Sequence, residues 1–230
     1  MSDEKSGEDI RQKVEELGPW FHQIDLGEGL LTRSIAPAPG PQPLDHPIPR
    51  WEKIGEALPA DLSGMRILDL GSSDGFFSIK MAERGADEIV AIDAAGKAVK
   101  RLDWAAQHLG HNSIRPIVGD VYRLPADLGT FDFVVMLALL YHVQEPLFCL
   151  EIVSRLSDVL YLETIADRDE ENSHLKLQLP REGVNAVPKW FPTTRCLKDM
   201  LHWVGYTEIL EIAEGEDRRP IYRASRTPEN

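Results

Sequence analysis

The sequence predicts an α/β fold, a doubly wound and mostly parallel seven-stranded sheet that closes with a C-terminal antiparallel hairpin. Three observations predict it. From Gly64 onward, short β-branched runs alternate with helical patterns, the arrangement that gives a parallel sheet with helices on both faces. The strand runs, such as Ile89-Val90-Ala91-Ile92, are apolar almost throughout, as strands buried on both faces are. The last two runs, Tyr206–Ile212 and Pro220–Ala224, are separated only by a short acidic turn, which suits a hairpin. The core is therefore expected to be Rossmann-like.

Each element follows from local pattern. Residues 1–18 read as a charged helix with Ile10, Val14 and Leu17 on one stripe, ending at Gly18-Pro19. Trp20–Leu26 is aromatic-rich and alternates rather than cycling. Residues 36–49 hold six prolines, at 37, 39, 41, 43, 47 and 49, so an extended stretch is expected there, with no regular helix. Residues 1–55 thus form an N-terminal helix and a cover-like segment, ahead of a main domain at 56–230.

In that domain Met65–Leu70 is the first strand, followed by a glycine turn and a helix over Phe76–Arg84. Glu88–Asp93 is the second strand, and Lys97–Leu109 the next helix, with Ala98, Leu102, Ala105 and Leu109 on one face. Ile114–Val118 and Phe131–Leu137 are the third and fourth strands. A helix near Leu147–Arg155 leads into the fifth, Val159–Glu163. The polar stretch 167–192 reads as a lid-like insertion. A helix capped by threonine at 193–194 then runs to Trp203 and stops at Gly205.

Composition narrows the function. The 230 residues carry 25 Lys+Arg against 38 Asp+Glu, a net charge of −13. An anionic surface repels phosphate backbones and disfavours nucleic acid as a partner. Two cysteines, Cys149 and Cys196, cannot build a disulfide scaffold or a four-thiolate zinc site. No apolar run approaches the ~20 residues of a membrane span, and Met1–Glu8 is polar and acidic, unlike a signal peptide. A soluble, cytoplasmic protein is expected. His108, His111, His174 and His202 show no ligand spacing, so no metal is expected. The acidic run Asp167–Glu171 reads as a solvated loop.

The strongest chemical signal is Asp69-Leu70-Gly71-Ser72-Ser73-Asp74-Gly75 after the first strand. Glycines at a strand–helix turn let the backbone approach a ligand closely. Anchored on Gly71, the G-x-G-x-x-G dinucleotide pattern places Ser73 and Phe76 where glycines belong, and it fails. Read as acid-x-Gly-x-(Gly)-x-Gly, the segment fits with one departure, Ser73. Asp93 ends the second strand, where a carboxylate can accept ribose hydroxyls. Asp120 follows the third strand, with Val121 and Tyr122 placed to line an adenine. Three acidic residues at the carboxyl edge of the sheet suit a cationic nucleoside without phosphates.

On these motifs the chain resembles class I S-adenosylmethionine (SAM) dependent methyltransferases over roughly residues 60–225, whose sheets also end in an antiparallel hairpin. Leu140-Tyr141-His142-x-x-x-Pro146-Leu147, Trp51-Glu52-Lys53-Ile54 and Trp190-Phe191-Pro192-Thr193 are similar to the wobble-uridine tRNA carboxymethyltransferase family and its small relatives. The Trp20–Leu26 strip is similar to theirs as well. The resemblance implies SAM as cofactor, held by Arg50, Trp51, Asp69, Gly71, Ser73, Gly75, Asp93, Ala94, Asp120, Val121, Tyr122 and Leu137. It implies substrate contacts at Trp20, Tyr141 and Arg219, and makes Tyr141, His142 and His22 the catalytic candidates. Between Lys13 and Lys53 there is no lysine, a departure from the family's basic segment that favours ordinary SAM over a carboxylated form.

The function expected is methyl transfer to an O or N atom of a small-molecule acceptor. The alternatives are a tRNA-modifying (carboxy)methyltransferase and a catalytically silent SAM-binding partner protein. A general base matters only where the acceptor is protonated at working pH. His142 and His22 are the placed imidazoles, each with an ordinary packing role as the competing reading. Oligomeric state is not encoded in any local pattern.

Overall fold

The computed structural model describes residues 7–180, 187–215 and 219–227. Its elements run α1 (Gly7–Leu17), α2 (Thr32–Ile35), α3 (Ile48–Ala57), β1 (Arg66–Leu70), α4 (Phe76–Ala82), β2 (Glu88–Asp93), α5 (Gly96–Leu109) and β3 (Ile114–Val118). They continue with β4 (Phe133–Leu137), α6 (Pro146–Ser154), β5 (Val159–Glu163), β6 (Leu175–Gln178), β7 (Lys189–Pro192), α7 (Thr194–Trp203), β8 (Glu208–Glu214) and β9 (Pro220–Ser225). The main sheet has seven strands in the order β3-β2-β1-β4-β5-β9-β8. Strand β9 runs antiparallel to both β5 and β8, while β1–β4, β2–β3 and β4–β5 are parallel. The Rossmann-like sheet and its antiparallel closing hairpin are as the sequence predicts.

The chain packs as two compact units, Met1–Gly64 with Ser72–Val118, and Met65–Gly71 with Gly119–Asn230. In the first, β2 buries Ile89–Ile92 completely or nearly so, and α5 turns Ala98, Val99, Leu102, Ala105 and Ala106 inward. Helix α5 ends on Gly110 at φ +76°, the left-handed stop that a glycine permits. In the second unit all five residues of β4 are buried, and Ile67, Leu68, Leu160 and Leu162 are fully covered. The order of strands reverses between β1 and β4, the switch point at which such sheets bind ligands. Helix α7 starts on Thr193, whose hydroxyl accepts the Cys196 N–H at 3.1 Å, and Gly205 follows its end at φ +100°.

One local expectation needs correction. The proline-rich stretch is not wholly extended, because α3 begins inside it with Pro49 in its first turn. A first-turn residue has no intrahelical partner for its N–H, so proline is tolerated there. Segment 167–192 contains regular structure. Its described residues form a two-stranded ribbon, β6 against β7, with Leu175 opposite Pro192. The alternating Trp20–Leu26 segment makes only isolated bridges, Trp20 to Pro37 and Asp25 to Leu31, because its ladder groups bond to side chains such as Thr32.

Candidate functional site

The first unit carries the turn after β1. Ser73 sits at φ +51°, the left-handed region that costs a side-chain-bearing residue about 1–2 kcal/mol. Its N–H donates to Asp93 Oδ2 at 2.9 Å, and Asp93 Oδ1 accepts from Ala95 N at 2.7 Å. Each carboxylate oxygen has two lone pairs, so Asp93 keeps acceptor capacity for a ligand's hydroxyls. Asp93 is half-buried and Ala94 exposed. Gly75, at φ +87°, is required by packing: a Cβ there would lie 2.0 Å from Leu102 Cδ1.

The N-terminal strip is fastened to this turn by Asp74, whose side chain is fully buried. Asp74 Oδ2 accepts the N–H groups of Phe21 and His22. Its Oδ1 accepts Arg101 Nε at 2.6 Å, and Arg101 Nη1 also donates to the Leu17 carbonyl at 3.3 Å. His22 is thereby held among Phe76, Phe77 and His46, with ring centroids 6.2, 6.1 and 5.8 Å away. Burial, and then the positive neighbours His46, Arg50, Arg33 and Arg101, hold its pKa well below the ordinary histidine value. The imidazole is neutral at neutral pH. Arg50 is itself buried on α3. Trp51 lies against Phe77 and under the Arg84 guanidinium, 4.6 Å from its ring.

Trp20 is a correction. Its side chain is completely buried, its indole N–H donates to the Val14 carbonyl at 2.9 Å, and its ring meets Trp104 edge-on. That is a packing role in place of the expected substrate contact.

The second unit carries the remaining candidates. Asp69 is buried within β1. Gly71 takes φ +77°, and a Cβ there would come 3.2 Å from Leu139 Cβ. Leu137 closes β4, and Ala138 follows at φ +60° with its N–H on the Glu163 carbonyl at 3.0 Å. A non-glycine residue held left-handed is stored strain of the kind that collects at ligand sites.

The chain then makes a 3₁₀ turn, Leu140–His142. Tyr141 is buried, its hydroxyl accepts Arg219 Nη1 at 3.2 Å, and Arg219 and Lys189 stand 5.3 and 5.6 Å from its ring centre. Arg219 also lies 3.8 Å from the buried Glu163. His142 is exposed, and partial desolvation followed by the charges of Lys189 and Arg219 lowers its pKa.

Asp120 caps a second 3₁₀ turn, Val121–Arg123, by accepting the Tyr122 N–H at 3.0 Å. Tyr122 is fixed from both sides. Its hydroxyl accepts Glu145 N at 2.7 Å and its ring stacks on Phe148. Val121 is buried and Asp120 exposed.

Sequence reasoning missed Asp74, Arg101, Lys189 and Ala138 as parts of this arrangement. Only Asp74 left a signal. It is an acidic residue inside the glycine turn, directly before the Gly75 N-cap of α4. Among the described residues, no group of three His, Cys, Asp or Glu side chains is arranged to hold a metal. Nor is any helix among them long and apolar enough to cross a membrane.

Residues 67–160 match a family model described as a methyltransferase domain. Two curated relatives are tRNA U34 carboxymethyltransferases. That of Stutzerimonas stutzeri is 25% identical over 188 residues, covering 75% of this chain and 55% of the relative. That of Trichlorobacter lovleyi is 30% identical over 165 residues, covering 70% and 50%. The chain thus spans about half the length of the curated relatives it matches. Among solved structures, the N-terminal domain of EvdMO1, crystallised in the presence of SAH and D-fucose, superposes with a TM-score of 0.78 at 24% identity, covering 99% of both chains.

Proposed function

We propose, from the premise that this chain carries a class I, SAM-dependent methyltransferase domain, that it methylates a hydroxyl oxygen of a small, sugar-like acceptor. The residues present suit SAM. The acidic donor set at Asp69, Asp93 and Asp120 matches a cationic nucleoside, and Gly71 takes a left-handed φ of +77° that favours glycine. Asp93 accepts the ribose hydroxyls, Asp120 with Val121 and Tyr122 receives the adenine, and Asp69 and Gly71 adjoin the methionine portion. Ser73, Gly75 and Ala94 shape the turns, Leu137 ends the strand beside the sulfonium, and Arg50 and Trp51 complete the set. Bound there, SAM supplies a methyl group on a positively charged sulfur.

One observation carries the hydroxyl reading: a buried, neutral imidazole, His22, is fastened through its own backbone to the cofactor turn. A hydroxyl is protonated at neutral pH, so its attack on a methyl carbon is helped by a base that takes the proton as the new C–O bond forms. A neutral imidazole in a water-poor setting does this, and the cations around His22 favour the developing alkoxide. Tyr141, held by Arg219, orients the acceptor, and the exposed His142 is a lesser contributor. The sugar class is supported by the likeness to the EvdMO1 domain, which was crystallised in the presence of D-fucose.

A second reading, transfer to tRNA, is favoured by the names of the curated relatives. It is opposed by the net charge of −13 and by the absence of lysine from residues 14–52. Formation of SAH is the test. The protein is incubated with SAM and, in separate arms, D-fucose with related deoxyhexoses and their nucleotide conjugates, and unmodified tRNA. Turnover in a sugar arm, reduced ~100-fold or more in His22→Ala and by less than about tenfold in His142→Ala, is the expected result. Turnover with tRNA alone overturns the proposal.

A further inference from the structure

The Asp74 carboxylate joins two parts of the first unit that are far apart in sequence. On one side is the turn that carries Ser73 and Gly75. On the other are the N–H groups of Phe21 and His22, 53 and 52 residues earlier. The geometry points to Asp74 as the positioning residue for His22, setting the imidazole relative to the cofactor turn through the backbone of the N-terminal strip. This inference rests on the reading of His22 as the base.

Three features of the site support it. The first is how the carboxylate is used. Asp74 precedes Gly75, the N-cap of α4, so it stands outside that helix and its carboxylate oxygens go to the strip and to Arg101. The second feature is that both oxygens are engaged from separate elements. Oδ2 takes two consecutive N–H groups, which fixes the orientation of the peptide between Phe21 and His22 as well as its position. Oδ1 takes Arg101 of α5, whose other nitrogen reaches the Leu17 carbonyl at the end of α1.

The third feature is adjacency. Ser73, one residue before Asp74, is locked left-handed with its N–H on Asp93. Occupation of the Asp93 carboxylate by ribose hydroxyls therefore stiffens the same short turn from which Asp74 reaches the strip. Cofactor binding and placement of the base are coupled through three consecutive residues, with no change of fold required.

The groups around His22 are Phe21 on the strip, Arg33 on α2, His46 ahead of α3, Arg50 on α3, Asp74 on the turn before α4, Phe76 and Phe77 on α4, and Arg101 on α5. The basic members, His46, Arg50, Arg33 and Arg101, disfavour the imidazolium, while the one acidic member, Asp74, is paired with Arg101. Releasing the strip moves His22 away from them and into water, so its titration returns toward ~6.5, the value of an unperturbed histidine.

The test uses the full chain in two forms, wild type and Asp74→Asn, with His22→Ala to assign the His22 resonances. Four readouts are taken: the His22 titration by NMR, the SAM dissociation constant by calorimetry, amide exchange at Phe21 and His22 with and without SAM, and the pH profile of SAH formation with D-fucose as probe acceptor. In wild type the two amides are expected to be protected like core amides, more strongly with SAM. In Asp74→Asn the His22 titration and the acidic limb of the rate profile both move upward, kcat falls about tenfold, and SAM affinity changes less than about threefold. A merely structural carboxylate lowers the rate without moving the limb.

Two results overturn the inference. One is Phe21 and His22 amides in wild type that exchange as fast as exposed loop amides, a measurement that needs no variant to fold. The other is a folded Asp74→Asn protein with an unmoved His22 titration. Loss of the base reading is distinguishable. His22→Ala with undiminished turnover refutes that reading while leaving the effect of Asp74 on the His22 titration to be scored by itself.

Discussion

The turn after β1 and the loop after β4 solve the same backbone problem, and the histidine associated with each has its pKa lowered first by desolvation and then by nearby cations, at very different depths of burial. Each places a non-glycine residue in the left-handed region directly after or close to an apolar strand, Ser73 at φ +51° and Ala138 at φ +60°. Each is associated with a histidine whose pKa is lowered. His22 is buried, and loss of water dominates its shift. His142 is exposed, with Lys189 and Arg219 nearby. A buried imidazole is set chiefly by loss of water, and the charges beside it are screened little by salt. An imidazole at the surface beside cations owes part of its state to interactions that salt screens.

The largest effect expected from this contrast concerns the glycines. Gly75→Ala must displace Leu102 and occupy a positive φ, so overpacking and backbone strain together cost about 2–5 kcal/mol in urea unfolding. Gly71→Ala meets the Leu139 side chain at 3.2 Å, which leaves more room, and costs less. Equal losses would show that the tight packing read at Gly75 is absent in solution.

Next comes the cofactor. Asp93→Ala should weaken SAM binding by ~1–3 kcal/mol in calorimetry, as expected for losing hydrogen bonds to a charged acceptor. Unaltered affinity would remove the first turn from the cofactor site.

Smaller gains come from relieving strain. Ser73→Gly and Ala138→Gly should each stabilise the fold by up to ~1 kcal/mol, the left-handed penalty being partly offset by the greater freedom of glycine in the unfolded chain. A loss of stability on either substitution would show that the side chain contributes more than its backbone strain costs.

The smallest effects separate the two histidines. Between its lowered folded pKa and ~6.5 in the unfolded chain, His22 binds more protons when unfolded, so stability rises with pH across that window. Acidification through it should lower Tm, and His22→Gln should flatten the slope. Raising the salt concentration should lift the His142 pKa slightly, as the charges of Lys189 and Arg219 are screened, and leave His22 in place. NMR titration at two ionic strengths checks both.

Much of this molecule is legible from one sequence. The strands β2 and β5 fall where apolar runs begin and end, because strands buried on both faces tolerate few polar residues. The Thr193 cap and the Gly205 stop of α7 are local chemistry and are read directly. The turn after β1 is legible for a similar reason, since a left-handed turn between a strand and a helix favours glycine at fixed positions. The N-terminal layer was not legible. Helix α2 is a single turn, α3 starts among prolines, and the strip is held by Thr32, Gln23 and Arg33 through side-chain bonds that leave no periodicity.

What the sequence determined by itself is the kind of sheet, its closing hairpin, and the residue types along its ligand-binding edge, all consequences of contacts between near neighbours or of repeating burial. What only the tertiary structure decided is which partners those residues take. Trp20 reads as a ligand contact but is buried against Trp104, and Asp74 reads as a turn residue but holds a strand of chain 52 residues away. The physical reason is that a carboxylate or an indole is chemically indifferent to sequence distance. Its hydrogen bonds go to whatever donor or acceptor the packed chain places within reach, and that placement is set by the whole core.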